Sequence, residues 1–172
     1  MFIQKLEIKN FRSIKELTIE PKNLCALIGP NSVGKTNILR ALDLVIGEGW
    51  TTKAKIAREL FLDTTKPIII EVSFVSPITF TNKRGYEVSV SSVKLEMTLE
   101  PELSAKTTIN GDNTFYDQEQ FKKLCHFIFI TSERQLTSEL RVSQWTMLGK
   151  LMRLVYENYV AQNSGNEQDL KN

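Results

Sequence analysis

One histidine, His126, and two cysteines, Cys25 and Cys125, are all that this chain has of those residue types, too few and too scattered to assemble a zinc-type cluster. Long hydrophobic runs are missing as well. The longest reach about five residues, whereas a membrane-spanning helix needs about 20. The N-terminus lacks the basic-then-apolar layout of a signal peptide, so a cytoplasmic protein is expected, with no membrane partner. Both cysteines are then reduced core thiols, Cys25 in a buried strand and Cys125 at a helix end. Neither sign of charge dominates: 22 basic against 20 acidic residues give +2, which argues neither for nor against a nucleic-acid surface. Hydrophobic residues make up 41% of the 172, enough for a real core.

What is present is a complete G-x-x-x-x-G-K-[ST] loop, Gly29-Pro30-Asn31-Ser32-Val33-Gly34-Lys35-Thr36. An apolar run, Leu24-Cys25-Ala26-Leu27-Ile28, enters it and reads as a parallel strand buried on both faces. A helix leaves it, with Ile38, Leu39, Ala41, Leu42, Val45 and Ile46 at three- and four-residue spacing and Gly47 or Gly49 as a left-handed stop. The glycines let backbone N–H groups turn inward on a polyphosphate at a helix N-terminus, where the dipole favours anions. Lys35 adds a point charge for the β- and γ-phosphates, and the Thr36 hydroxyl is placed to hold a bridging Mg2+. ATP and Mg2+ are the expected ligands. A plain strand-to-helix turn is the bland alternative, but it needs neither the lysine nor the threonine.

Two half-buried strands precede the loop, with Leu6 and Ile8, then Leu17 and Ile19, alternating with charged or polar residues. Asn10-Phe11-Arg12-Ser13 joins them, and its simple reading is a hairpin connection with Phe11 in the core. The whole order is strand, Asn-Phe-Arg-Ser, strand, buried strand, phosphate loop with Asn37 directly after Thr36, helix. Over residues 1 to about 47 it resembles the start of RecF-like and SMC-like ATPase heads of the ABC type. That resemblance implies that Arg12 and Ser13 contact the adenine end or the α-phosphate, and that Asn37 belongs to the G-K-[ST]-N form of the loop. It implies an α/β P-loop NTPase fold.

Beyond the helix, Glu48 to Thr52 reads as a loop, and Thr52 as the cap of a short helix bearing Ile56, Ala57 and Leu60. Trp50 in that loop reads as local packing. From Pro67 the pattern alternates in Ile68, Ile70, Val72 and Phe74, then in Val88 and Val90. It shifts phase at Ser91-Ser92 before Val93, Leu95, Met97 and Leu99, as a bulge would cause. Lys83-Arg84-Gly85 and Gly111-Asp112 read as turns. This is an antiparallel meander, unlike the strand-helix alternation of a small-molecule kinase. Residues 1–63 with 117–160 are therefore expected to form the P-loop core of a partial ABC-type head, 67–115 an antiparallel β lobe, and 161–172 a disordered tail.

Asp117 to Leu124 reads as a helix, and Phe127-Ile128-Phe129-Ile130 as a second buried strand. Thr131 occupies the place where a hydrolytic strand would carry aspartate, so the second half of a hydrolytic site is not found. Ser132-Glu133-Arg134-Gln135-Leu136, Ser138-Glu139-Leu140 and the run from Trp145 to Arg153 resemble the corresponding segment of OLD-family nucleases (overcoming lysogenisation defect). There a head of this kind precedes a Toprim nuclease domain. The family implies Gln135 as a Q-loop residue that senses the γ-phosphate or Mg2+; a surface glutamine is the bland equivalent. Trp145, Leu148, Met152, Val155 and Tyr159 form a stripe that reads as a core face.

The resemblance thus implies the ATP-binding N-terminal portion of a head that gates a DNA endonuclease, working as a homodimer through its nucleotide sites, with DNA as a partner of the longer protein. A recognisable signature motif, an Asp-Glu strand, a switch histidine and nuclease carboxylates are not found in these residues, so weak ATP binding and little hydrolysis are expected of them. The next segment of the gene is expected to encode an apolar strand ending in Asp-Glu. The alternatives are a RecF- or SMC-like repair or chromosome-organising head, and a non-catalytic nucleotide-binding or dimerisation module.

Overall fold

The computed structural model describes residues 2–31, 33–47, 56–111, 113–115, 117–125, 127 and 147–162. The chain divides into two compact units, Met1–Phe129 and Ile130–Asn172.

The first unit is built on one antiparallel sheet of six strands. These are β1 (Ile3–Phe11), β2 (Ile14–Ile19), β3 (Ile68–Thr81), β4 (Glu87–Thr98), β5 (Ser104–Ile109) and β6 (Asn113–Thr114), in the order β2-β1-β3-β4-β5-β6. β1 pairs with β2 on one side, Ile8 opposite Leu17, and with β3 on the other, Ile8 opposite Ile70. The strands ascribed from sequence to a P-loop core and those ascribed to a separate lobe are therefore neighbours in a single sheet. Alternation explains its two faces. Leu6 and Ile8, then Ile68, Ile70, Val72 and Phe74, then Val93, Leu95 and Met97 are buried, while the residues between them are partly exposed. Each such side chain contributes about 1.5–3 kcal/mol relative to leaving it in water.

Among the described residues two helices close the buried face, α1 (Lys35–Ile46) and α2 (Gln118–Cys125). α1 packs on β1, β3 and β4 through Ala41, Val45 and Ile46. α2 inserts Phe121, whose ring stands 5.9 Å from Phe74 and 5.3 Å from Phe115. The edge-on and tilted arrangement of these rings is the one their quadrupoles favour. Buried Lys122 reaches from α2 to the Leu44 carbonyl near the end of α1, 3.4 Å away, where a helix presents unpaired carbonyls to a cation.

Four expectations need correction. Leu24 to Ile28 forms no strand; Leu24 and Ile28 are 90% and 94% exposed, and Cys25 is exposed too. A strand buried on both faces needs a neighbour on each edge, and among the described residues the sheet ends at β2 without one for it. The irregularity expected at Ser91-Ser92 is present, but its extra residues are not in β4. Ser73 pairs with Ser92 and Ile78 with Val90, so the extra residues lie in β3 around Pro77, while in β4 the phase shift itself is real, with Val90 and Val93 both buried. Asn110 fills the irregularity, accepting from the Ser91 amide at 2.8 Å and donating to the Ser89 carbonyl at 2.8 Å. Gly47 does cap α1, but in an extended conformation (φ −68°). Glycine is needed there because a Cβ would run into the carbonyl and carboxylate of Asp43.

The second unit contributes α3 (Met147–Gln162) to the described residues. Here lies the fourth correction: Met152, Val155 and Tyr159 of the presumed core stripe are exposed, as is Tyr156. Trp50, Thr52, His126, the Phe127–Ile130 strand beyond its first residue, the segment from Thr131 to Leu140 that includes Gln135, and Trp145 all lie outside the described residues.

Candidate nucleotide site

The phosphate loop stands at the start of α1 as its spacing requires. Gly34 is the residue before the first helical turn and has φ +98°, a left-handed conformation that costs a side chain but not glycine. It has a second reason to lack a side chain. A Cβ there would stand 2.7 Å from the Ser13 hydroxyl, inside ordinary contact distance. The loop and the β1–β2 turn are thus packed directly on each other at this glycine.

Lys35 opens the helix and turns its ammonium back over the loop, donating to the carbonyls of Gly29 at 2.7 Å and Pro30 at 2.5 Å. The first turn of α1 has no acidic residue and no side-chain cap, so the positive end of its dipole is not neutralised. Thr36 follows, exposed. Ammonium, uncapped amides and a Cβ-free approach fit a polyphosphate. Among the described residues no three His, Cys, Asp or Glu side chains converge on a metal. The exposed Thr36 hydroxyl is a group that could hold a magnesium ion.

The Asn-Phe-Arg-Ser turn joins β1 to β2 with Phe11 buried, as its simple reading expects, and it also meets the phosphate loop. Asn37 donates through its side-chain amide to the Ser13 hydroxyl at 3.0 Å. Arg12, at φ +52°, lies 5.9 Å from the centre of the Phe11 ring, and its Nε is buried without a hydrogen-bond partner. Burial first, then the positive charge of Arg40, lowers its pKa from the ordinary arginine value; Glu59 opposes them. Of the expected site residues, Arg12, Ser13, Gly29, Pro30, Asn31, Val33, Gly34, Lys35, Thr36 and Asn37 are thus described around one helix start. Ser32 and Gln135 lie outside the described residues.

The sequence reading missed what holds this turn. Buried Asn10, at φ +58°, donates to the carbonyls of Asp63 (2.8 Å), Lys66 (2.7 Å) and Pro67 (3.3 Å), and accepts from the Asp63 amide at 2.8 Å. The Arg12 amide donates to the Leu60 carbonyl at 2.7 Å, and Phe11 bridges to Phe61. The segment 60–67 therefore clamps the turn from behind. The only signal was the asparagine itself, a residue that tolerates left-handed backbone. An open depression of about 560 Å³, lined by Arg58, Glu59, Phe61, Leu62, Asp63 and Thr64, lies on that segment and includes no residue of the loop.

Residues 1–122 match the family model described as AAA ATPase domain. The chain is 28% identical over 171 residues to an OLD nuclease of Thermus scotoductus, covering 94% of this chain and 32% of that protein. It is 46% identical over 121 residues to the chromosome partition protein Smc of Halothermothrix orenii, covering 67% of this chain and 10% of that one. The chain therefore spans a third or less of the length of these relatives. Among solved structures, one described as concerning ATP-driven dimerisation and DNA-stimulated activation of SMC ATPases superposes with a TM-score of 0.56. It covers 92% of this chain and 99% of its own, at 21% identity. An Smc head bound to the winged-helix domain of ScpA gives 0.50 over 74% of this chain and 42% of its own, at 23% identity. These likenesses establish the fold, that of an SMC-like P-loop ATPase head.

Proposed function

Since the chain belongs to the AAA ATPase domain family, a membership that implies ATP binding, we propose that it is the nucleotide-binding N-terminal portion of an ABC-type head that gates a DNA endonuclease of the OLD kind. The observation that carries this reading is the Lys35 ammonium turned over the Gly29 and Pro30 carbonyls at the uncapped start of α1. The relative matching most of the chain, an OLD nuclease, supplies the nuclease context. Residues 1–160 are then a partial head, with 161–172 as its tail, in a cytoplasmic protein.

In this reading the loop amides and the α1 dipole hold the β-phosphate, and Lys35 exchanges its loop carbonyls for phosphate oxygens. Arg12 and Ser13 contact the nucleotide from the β1–β2 turn, with Ser13 oriented by Asn37. A magnesium ion would be held by the Thr36 hydroxyl and would supply positive charge to offset that of the phosphates. Thr36 is its ligand from this chain among the described residues, and Gln135 is proposed as a sensor near it. The groups that turnover needs are not recognised in this sequence, so binding without appreciable hydrolysis is the expected behaviour. In the longer protein, pairing of two heads across nucleotide makes a homodimer, and DNA is the substrate.

Isothermal titration of the 172-residue chain with ATP and Mg2+, alongside Lys35→Ala, tests the core of this reading. Loss of binding in the variant is expected, and equal binding by both proteins would overturn it. A second reading, an SMC-like chromosome-organising head, is favoured by the 46% identity to Smc over 121 residues and by the superposition on an SMC ATPase. A long heptad array in the downstream gene sequence would support it, and an acidic Toprim-type cluster would support the nuclease.

A further inference from the structure

Arg40 is exposed on α1, three residues beyond Asn37 and four beyond Thr36, and so lies on the helix flank that carries both. Asn37 fixes Ser13 against this flank at 3.0 Å, and Arg12 is the residue next to Ser13. The Nε of Arg12 is buried and has no partner, although buried donors are nearly always satisfied. The ion pairs of the described residues give neither Arg12 nor Arg40 a carboxylate. Among the described residues Glu59 favours the charge of Arg12, more weakly than burial and the like charge of Arg40 act against it. A guanidinium does not escape such a setting by losing its proton. Two cations on one flank, one of them half-buried with an orphaned donor, oppose folding and favour an anion.

Resting on the nucleotide-binding reading above, we infer that Arg40 joins Arg12 in a second phosphate subsite on the flank of α1, which takes a phosphate of the bound nucleotide that the loop amides do not cradle. The Arg12 contact belongs to that reading; Arg40 is the new member. The pair makes affinity depend on the charge of the phosphate chain and on salt, since Arg40 is open to solvent and screened by ions.

The test is isothermal titration of the chain and of Arg40→Gln with ATP and with inorganic triphosphate, each with Mg2+, at low and high salt. Thermal melts by circular dichroism confirm that the variant is folded, as expected for a glutamine on an exposed helix position. Arg40→Gln is expected to weaken both ligands by roughly five- to tenfold at low salt and by less at high salt. Unchanged affinity for both, a loss for ATP but not for inorganic triphosphate, or a loss equal at both salt concentrations overturns the inference. So does a loss confined to binding of duplex DNA. If Lys35→Ala abolishes ATP binding while Arg40→Gln leaves it intact, the subsite fails and the nucleotide reading stands. If the unsubstituted chain binds no ATP, or binds no better than Lys35→Ala, the nucleotide reading itself fails.

Discussion

The side-chain amide of Asn37 donates to the hydroxyl of Ser13 across 3.0 Å, and this bond ties the turn between the first two strands to the first turn of the phosphate-loop helix. It joins residues 24 apart in sequence at the point where Gly34 has no side chain to keep them apart. The turn that carries Arg12 and the helix that carries Lys35 are thereby linked through side chains.

A double-mutant cycle measures that tie. Ser13→Ala and Asn37→Ala should each lower ATP affinity, and the pair together should lower it by less than the sum. The bond is exposed, so a coupling of about 0.5 kcal/mol is expected. Strict additivity in calorimetric titrations would show that the turn and the loop act independently.

Asn10 is expected to matter more for stability than any residue of the loop. Asn10→Ala removes the bonds to three carbonyls, strands the Asp63 amide and places alanine at φ +58°. A loss of about 2–4 kcal/mol follows, read as a lower urea midpoint. Lys35→Ala, by contrast, should leave that midpoint within about 0.5 kcal/mol.

The same clamp predicts a pH dependence. Bonds first from the Thr65 hydroxyl, then from Lys66, hold the Asp63 carboxyl down at about 2, against an ordinary 3.8. A carboxyl lowered in the folded state stabilises fully above its unfolded pKa and loses that contribution as pH falls through the folded one. Stability should therefore decline between about pH 4 and pH 2, and Asp63→Asn should flatten that part of the profile. An unchanged slope in acid urea titrations would remove Asp63 from the account.

The two thiols should differ. Cys125 is buried at the end of α2, and burial pushes its pKa up to about 12, whereas Cys25 is exposed. A disulfide reagent at pH 8 should label Cys25 in the native chain and reach Cys125 only after denaturation. Equal labelling rates would contradict the burial of Phe121 and its neighbours.

Much of this was legible in the chain. The spacing of Gly29, Gly34, Lys35 and Thr36 placed a loop before a helix, the alternation in Ile68 to Phe74 gave β3 its buried face, and the phase shift at Ser91-Ser92 marked a real irregularity. What failed did so for non-local reasons. Leu24 to Ile28 has the composition of a buried strand, but composition does not supply the neighbours a strand must pair with. Met152, Val155 and Tyr159 have helical spacing, which says which side is apolar and not what covers it. Asn10 looked like one turn residue among several because its partners lie 53 to 57 positions away.

The Lys35 ammonium is already satisfied by the main chain of its own loop, and this makes nucleotide capture an exchange reaction. On the proposed reading two carbonyl acceptors are given up for phosphate oxygens, so the gain in affinity is only the difference between the two sets. The loop holds its curvature through the same contacts in the meantime, and the two carbonyls stand ready to take the lysine back when a bound anion leaves.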